Sequence, residues 1–162
     1  MIKCEFENGN KASLRHVVTD VILIKDGKII LERRGKSTKK RMIPEEGKWA
    51  LIGGFVDRNE SITKAAKREV LEETGWKIKS IKLFQIKGIP YRKGEDRQNI
   101  VFLFIAQALK KISDNDDEVS DVQLFDFKKL PPEKLFAFDH YDSVKLYKKY
   151  LKGKLELPLL NI

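Results

Sequence analysis

The stretch from residue 62 to residue 74 constrains the fold most, because it reads as one helix with two different faces. Ser61 offers a side-chain oxygen that can cap the first turn, and Gly75 suits the left-handed position just past the last turn. Apolar side chains recur at helical spacing along one face, namely Ile62, Ala65, Ala66 and Val70. We therefore expect a helix over residues 62–74 that packs one side on a sheet.

The opposite face of this helix is acidic. Glu69, Glu72 and Glu73 stand at positions i, i+3 and i+4, so we expect their side chains to share one side of the helix. Three carboxylates this close repel one another, and a cluster of hard oxygen ligands suits Mg²⁺ or Mn²⁺. Arg68 lies four residues before Glu72, where it can pair with that carboxylate or fix its orientation. The spacing alone also suits a solvated acidic face, so the surrounding residues must decide.

These surroundings form a longer pattern from Gly54 to Trp76, which is Gly-x5-Glu-x7-Arg-Glu-U-x-Glu-Glu-x-Gly-U with U a bulky apolar residue. The pattern resembles the Nudix box at every fixed position, although Trp76 stands where an aliphatic residue is more usual. The segment 47–54 resembles the lead-in of that family, with Ile52 in place of a proline, and the likeness covers about residues 14–130. The resemblance implies an enzyme that splits a pyrophosphate bond with the help of a divalent metal.

The resemblance also implies roles for individual residues. The three helix glutamates Glu69, Glu72 and Glu73, together with a backbone carbonyl at Gly54, are expected to bind the metal ion, Mg²⁺ or Mn²⁺. Arg68 is expected to orient the acidic cluster. The general base that takes a proton from the attacking water is either Glu69 or Glu118, which lies in an acidic loop late in the chain. The expected catalytic residues are therefore Arg68, Glu69, Glu72, Glu73 and Glu118.

The rest of the chain alternates apolar strands with turns and ends in a second helix. An Asp-Gly pair at residues 26–27 joins two apolar runs and predicts a hairpin. Strands are expected over residues 16–25, 28–33, 79–89, 99–109 and 122–127, and a last helix over residues 141–151. This mixture predicts an α/β sandwich with a mixed β-sheet, and the resemblance implies that it is a Nudix-type α/β/α sandwich.

A single domain is expected over residues 1–162, with residues 1–13 and 153–162 as peripheral tails. The first tail is polar and predicts one short strand. The apolar stretch 155–162 is expected to pack on the body of the molecule or on a neighbouring subunit, so the pattern leaves a homodimer open.

Composition narrows the class of protein. Hydrophobic residues are 41% and charged residues 35% of the chain, which is an ordinary globular balance. The apolar runs are too short to cross a bilayer and the N-terminus lacks a long apolar core, so we expect a cytoplasmic location without membrane contact. Cys4 is the only cysteine, which suits a reducing compartment. His16 and His140 are expected to be structural, because no Ser-His-Asp or Cys-His set accompanies them.

The net charge of +9 and the basic run at residues 36–41 suit a polyanionic partner. They motivate a rival hypothesis, a non-catalytic module that binds RNA. The complete acidic set favours an enzyme, because a protein that only binds RNA has little need for those carboxylates. The expected partner is therefore a nucleotide-type small molecule rather than nucleic acid.

The expected substrate depends on residues downstream of the box. Pro90 is typical of ADP-ribose hydrolases at this position, whereas the adjacent Tyr91 is typical of dinucleoside polyphosphate hydrolases. The loop at residues 96–99 resembles that of ADP-ribose hydrolases and favours ADP-ribose, split into AMP and ribose 5-phosphate. The alternatives are a MutT-like (d)NTP or oxidised-nucleotide pyrophosphohydrolase and a dinucleoside polyphosphate or RNA-cap hydrolase. The candidate substrate contacts are Arg34, Trp49, Phe55, Pro90, Arg92 and Arg97.

Overall fold

A mixed eight-stranded sheet is the centre of the part of the chain that the computed structural model describes, which is residues 1–40, 42–88 and 98–160. Its strands are β3 (Val17–Lys25), β4 (Lys28–Arg34), β5 (Trp49–Ala50), β6 (Ile52–Phe55), β7 (Trp76–Lys87), β8 (Ile100–Lys111), β9 (Val119–Phe125) and β10 (Leu159–Leu160). The helices are α1 (Ile62–Thr74) and α2 (His140–Tyr150), with a 3-10 turn at Glu133–Leu135. A separate hairpin of β1 (Ile2–Glu5) and β2 (Lys11–Leu14) precedes the sheet.

Strand β3 organises the sheet because it pairs with three neighbours. It runs parallel to β8 and antiparallel to β4 and β6. The β3–β4 hairpin turns at Asp26 and Gly27, whose φ angles of 49° and 74° are those of a two-residue hairpin turn. The predicted Asp-Gly hairpin and the predicted mixed sheet are therefore confirmed.

The two faces of the sheet carry two apolar clusters, because side chains alternate along each strand. The cluster beneath α1 includes Val21, Leu23, Ile30, Ile52, Ala66 and Val70. The cluster beneath α2 includes Ile22, Ile24, Leu51, Phe84, Val144 and Tyr147. Helices thus cover both faces, which is the expected α/β/α arrangement, and β3 contributes to both layers.

Helix α1 begins and ends where its capping residues predict. The Ser61 hydroxyl accepts a hydrogen bond from the Lys64 backbone N–H at 3.3 Å, which satisfies one exposed donor of the first turn. Gly75 adopts φ 72° and donates its N–H to the Leu71 carbonyl at 2.8 Å. These two caps fix the rotational setting of the helix, and with it the direction of its glutamates.

Several element boundaries differ from the predictions. The N-terminal tail forms two paired strands rather than one. Strand β7 begins at Trp76 rather than at residue 79, since Trp76 already pairs with Lys111 across the sheet. Strand β9 begins at Val119 rather than at residue 122, because Val119 pairs with Arg34 at a register shift in β4.

The apolar C-terminal stretch packs on its own chain. Strand β10 pairs in parallel with β7, where Leu159 and Leu160 lie opposite Gln85 and Ile86. Leu157 and Leu159 are partly buried against the cluster beneath α2. Of the two arrangements left open by the sequence, the structure has the intramolecular one. No helix in the described residues is long and apolar enough to span a membrane.

Candidate active site

A cavity of about 340 Å³ opens where β3, β6 and α1 meet. It brings together segments that are far apart in the chain, including the ends of β4 and β6, the middle of α1 and the acidic loop before β9. The predicted site residues that line it are Arg34, Gly54, Phe55, Glu69, Glu73 and Glu118. The cavity is therefore the candidate active site.

Two glycines on β6 bring the backbone close to the helix glutamates. The Gly53 N–H donates to Glu73 Oε2 at 2.9 Å, which holds that carboxylate against the strand. A Cβ on Gly54 would lie 2.5 Å from Glu69 Oε1, and one on Gly53 would lie 1.9 Å from the Thr19 carbonyl oxygen. At Gly53 a side chain would push away the backbone of the neighbouring strand, whereas at Gly54 it would displace only the Glu69 carboxylate.

Arg68 joins the acidic face of α1 to the loop before it. Its Nη1 atom donates to Glu69 Oε1 at 2.8 Å and to Glu72 Oε2 at 3.0 Å. Its Nη2 atom donates to Glu60 Oε1 at 2.6 Å and to the Phe55 carbonyl at 3.0 Å. The hydrogen bond from Arg68 lowers the pKa of Glu60. One guanidinium therefore orients three carboxylates and ties the helix to β6.

Three carboxyl groups lie close together at the candidate active site. Burial raises the pKa of Glu69. Burial and the neighbouring Glu32 carboxyl raise the pKa of Glu73 well above its usual range. Burial also raises the pKa of Glu32 to about 7, although the hydrogen bond with Glu73 and the charge of Arg34 lower it. Buried carboxyl groups this close resist simultaneous ionisation unless a cation joins them.

The sequence of the chain is similar to the sequences of known proteins. The pattern of the NUDIX domain family matches residues 14–147. The chain belongs to the NUDIX family. It is 32% identical over 138 residues to an ADP-ribose pyrophosphatase from Methanocaldococcus jannaschii, which covers 85% of this chain and 75% of the relative. It is 32% identical over 124 residues to an oxidized purine nucleoside triphosphate hydrolase from Danio rerio, which covers 76% of this chain and 74% of that protein.

The fold of this Nudix hydrolase is shared with a solved structure. A crystal structure of a NUDIX hydrolase from Nitrosomonas europaea superposes with a TM-score of 0.76 at 23% sequence identity. The match covers 99% of this chain and 93% of that one. The predicted Nudix-type α/β/α sandwich with a mixed sheet is therefore confirmed, as is membership of a family of metal-dependent hydrolases.

The cavity offers hard oxygen ligands for the divalent metal that Nudix hydrolases use. Among residues 1–40, 42–88 and 98–160, no group of three or more His, Cys, Asp or Glu side chains is arranged to hold a metal ion. Mg²⁺ does not need such a group, since it usually takes one or two carboxylates together with waters and substrate phosphates. Glu69 and Glu73 carry suitable oxygens, and Gly54 leaves the space beside Glu69 that a Cβ would fill. The residues present therefore fit such an ion.

The structure separates Glu72 and Trp49 from the cavity lining. The Glu72 side chain is 48% exposed and paired with Arg68, and it does not line the cavity, so its role as a metal ligand stays a prediction. Trp49 packs edge-on against Phe125, with ring centroids 4.8 Å apart, and does not line the cavity, so the substrate contact expected of it stays a prediction. The remaining predicted contacts lie outside the described residues, and they are Pro90, Arg92 and Arg97.

Glu118 lines the same cavity as Glu69 and Glu73. Its carbonyl accepts the Gly35 N–H at 2.8 Å, and its own N–H donates to Asp116 Oδ1 at 2.9 Å. A Cβ on Gly35 would lie 2.7 Å from the Glu118 carbonyl oxygen, so a glycine permits this contact between loop and β4. Glu69 and Glu118 therefore border the same space, and both stay candidates for the general base.

Other residues of the site escaped sequence reasoning. Asp20, Phe138 and His140 line the cavity although no motif contains them. An acidic residue inside an otherwise apolar strand was a signal for Asp20, since buried carboxylates are rare without a partner. Arg15 holds the two flanks of residues 89–97, because its guanidinium donates to the carbonyl oxygens of Gly88 and Gln98 at 2.7 Å.

Proposed function

We propose that this Nudix hydrolase splits the diphosphate of ADP-ribose and releases AMP and ribose 5-phosphate. The observation that carries the proposal is the pair of carboxylates from Glu69 and Glu73 in a cavity that also contains Arg34. The similarity to the Methanocaldococcus jannaschii protein named ADP-ribose pyrophosphatase supports this substrate over others. The coarser conclusion, a hydrolase of nucleotide-type diphosphates, depends on the family and does not require that particular relative.

The metal site of the proposal consists of Glu69, Glu73 and a backbone carbonyl at Gly54, with Glu72 beside them on α1. A bound Mg²⁺ or Mn²⁺ supplies charge neutralisation on the diphosphate and a water of lowered pKa. The Gly53 N–H donates to Glu73, and Arg68 Nη1 donates to both Glu69 and Glu72 and so orients the two carboxylates. These contacts fix the ligands before substrate arrives, so little reorganisation is needed.

Proton removal from the attacking water is assigned to Glu69 or Glu118. Both carboxylates line the cavity, and burial raises the pKa of Glu69. Replacing each by glutamine distinguishes them. The variant of the base should lose kcat with little change in KM, whereas the other variant should shift the metal concentration that gives half-maximal rate.

Substrate anchoring is assigned to Arg34 and Phe55. Arg34 lines the cavity, and its planar guanidinium can bind two phosphate oxygens at once. Phe55 is 44% exposed and lies 5.1 Å from the His16 ring, which leaves an aromatic surface at the cavity mouth. Arg34→Ala should therefore raise KM for ADP-ribose more than it lowers kcat.

The proposed substrate is tested with purified protein and Mg²⁺ by measuring AMP release from ADP-ribose. The panel includes NADH, diadenosine polyphosphates, 8-oxo-dGTP and capped RNA, and rates are compared as kcat/KM. We expect ADP-ribose to have the highest kcat/KM of the panel. Rapid hydrolysis of nucleoside triphosphates with no AMP from ADP-ribose would overturn it.

A nucleoside triphosphate pyrophosphohydrolase is the second candidate. The observation that favours it is the similarity to the Danio rerio protein, which reaches the same 32% identity over 76% of this chain. This activity would release a nucleoside monophosphate and inorganic pyrophosphate. The two products are separated by chromatography, so one assay decides between the candidates.

A non-catalytic RNA-binding role is separated from both enzymes by mutation. Glu72→Gln or Glu73→Gln should abolish hydrolysis and leave any RNA binding intact. Neutralising Lys39, Lys40 and Arg41 should weaken RNA binding, most clearly at low salt, and leave hydrolysis of small substrates intact. Full turnover in the glutamate variants would contradict the assigned metal site.

A further inference from the structure

The candidate active site contains a second carboxylate region on the other side of β6. Asp20 of β3 is only 8% exposed and lines the same cavity as Glu69 and Glu73. Its Cα lies opposite that of Gly53 in the β3–β6 ladder. Side chains alternate along β3, so Asp20 shares the α2 side with Ile22, whereas Glu73 reaches Gly53 from α1. The cavity therefore extends past β6 to a region that the helix glutamates do not occupy.

His140 makes two polar contacts in this second region, one with each of its ring nitrogen atoms. Its Nδ1 atom accepts a hydrogen bond from the Leu51 N–H at 3.0 Å. An accepting Nδ1 carries a lone pair, so the ring proton is on Nε2. That Nε2 atom lies 3.5 Å from Asp20 Oδ2 and directs its N–H towards the carboxylate. His140 thus has the structural role expected of it and also helps to fix Asp20.

Lys87 stabilises the charge of Asp20. Its side chain is 6% exposed, and its Nζ atom lies 4.0 Å from Asp20 Oδ2. The same Nζ is held by Asp139 Oδ1 at 3.1 Å and by Ser143 Oγ at 3.2 Å. A buried carboxylate is stable only with such partners, and here two carboxylates share one ammonium group. The Asp20 region is therefore an anionic hydrogen-bond acceptor set into the cavity wall.

Apolar and aromatic groups surround this acceptor. Val18, Leu51, Val101 and Phe138 line the cavity with it. Phe138 adopts φ 52°, an uncommon conformation for an aromatic residue, and its ring lies 5.4 Å from the Arg34 guanidinium carbon. A flat apolar surface beside one fixed acceptor suits a nucleobase, which stacks through its ring and donates through its edge.

We propose that Asp20 determines base specificity by accepting a hydrogen bond from the exocyclic amino group of adenine. The proposal depends on the proposed function insofar as the substrate must be a nucleotide. Hypoxanthine has a carbonyl oxygen in place of that amino group and an N–H in place of the N1 acceptor, and a carboxylate placed to accept from the amino group repels this oxygen. Buried polar sites reject a ligand that leaves them unpaired, so adenine nucleotides should bind about 10-fold to 100-fold more tightly than hypoxanthine nucleotides.

The test is binding of AMP and IMP, measured by calorimetry on the full chain. Wild-type protein should prefer AMP by the stated factor. Asp20→Asn replaces one acceptor oxygen by a donor amide of the same shape, so the preference should vanish or invert. The matched control is Asp114→Asn, since Asp114 is a fully exposed acid in the loop before β9 and should leave the preference unchanged.

Each outcome bears on the proposal. Equal affinity of the wild-type protein for AMP and IMP, or no measurable binding of either, would overturn it. So would a preference that survives in folded Asp20→Asn protein. If that variant fails to fold, the wild-type comparison still decides. Failure to hydrolyse ADP-ribose with an intact, Asp20-dependent AMP preference would refute the proposed substrate and leave the base subsite standing.

Discussion

Glu73 combines burial, a backbone hydrogen bond and a neighbouring carboxyl group in one side chain. It is 6% exposed, accepts the Gly53 N–H at 2.9 Å and lies next to Glu32. Two buried carboxyl groups this close together lower the stability of the fold, because each disfavours ionisation of the other. Such a cost in stability is what we expect of a carboxylate that is proposed to bind a cation.

Glu73→Gln should therefore separate activity from stability. The amide oxygen still accepts the Gly53 N–H, while the group beside Glu32 can no longer ionise. Hydrolysis should fall by more than about 100-fold, beyond what a change outside the ligand shell costs. The metal-free variant should unfold at a temperature no lower than wild type at neutral pH. Thermal unfolding and initial rates measure the two effects, and a variant that is equally active would contradict the assignment.

The Glu60–Arg68 pair gives a pH-dependent prediction at the same scale. Because the folded-state pKa of Glu60 is lowered, its contribution to stability is present above its unfolded pKa and is lost as pH falls through the folded pKa. The pair is partly exposed, so its contribution is about 1 kcal/mol at most. Glu60→Gln should lower the free energy of unfolding at pH 7 and reduce its decrease between about pH 5 and pH 3.

Urea unfolding across that pH range measures the effect. The matched control is Glu133→Gln, because the Glu133 side chain is 66% exposed and 4.0 Å from Lys145. A pH slope in Glu60→Gln identical to that of wild type would show that Arg68 does not depress the Glu60 pKa.

Strand β6 and helix α1 work together as one element of the site. The helix could be predicted to the residue because its signals, Ser61 and Gly75, are local. Contacts across the sheet set the starts of β7 and β9 earlier than local composition predicts, through Trp76 opposite Lys111 and Val119 opposite Arg34. Boundaries that depend on a distant partner are not visible in one segment of sequence.

The two glycines of β6 give a paired prediction. Gly54→Ala would place a methyl group 2.5 Å from Glu69 Oε1, and a side chain can move aside. Activity should fall, with a loss of stability below about 1 kcal/mol. Gly53→Ala would meet the backbone carbonyl of Thr19 at 1.9 Å, which cannot move without disturbing β3. That variant should lose about 2 kcal/mol or more of unfolding free energy.

Chemical denaturation with parallel activity assays tests this pair, and each variant is the other's control. Equal loss of stability in both would contradict the different contacts described for the two glycines. Full activity in Gly54→Ala would show that the position of Glu69 against β6 is not needed for hydrolysis.

At the scale of the whole molecule, the class of reaction could be predicted from the sequence, but only part of the site could. The helix glutamates and Arg68 were accessible because the motif is contiguous. The Asp20 region was not, because it assembles residues from β3, β7 and α2, and Leu51 and His140 alone lie 89 residues apart in the chain. Contacts of that separation are created by the fold and leave no local pattern.

The C-terminal strand gives a prediction at this scale. Leu157 and Leu159 are partly buried against the cluster beneath α2, and β10 pairs with β7. Leu157→Ala should lower the free energy of unfolding by about 1–2 kcal/mol, less than a fully buried leucine costs. The loss should not depend on protein concentration, since the contacts are within one chain. A loss that disappears at high concentration would instead indicate an interface between subunits.

We propose that the protein splits a diphosphate bond in the cavity bordered by Glu69 and Glu73. The most direct measurement is the product analysis of ADP-ribose incubated with Mg²⁺ and either wild-type protein or Glu73→Gln. We expect wild-type protein to release equal amounts of AMP and ribose 5-phosphate, and Glu73→Gln to release almost none of either. Turnover by Glu73→Gln at the wild-type rate, or no AMP from wild-type protein, would contradict it.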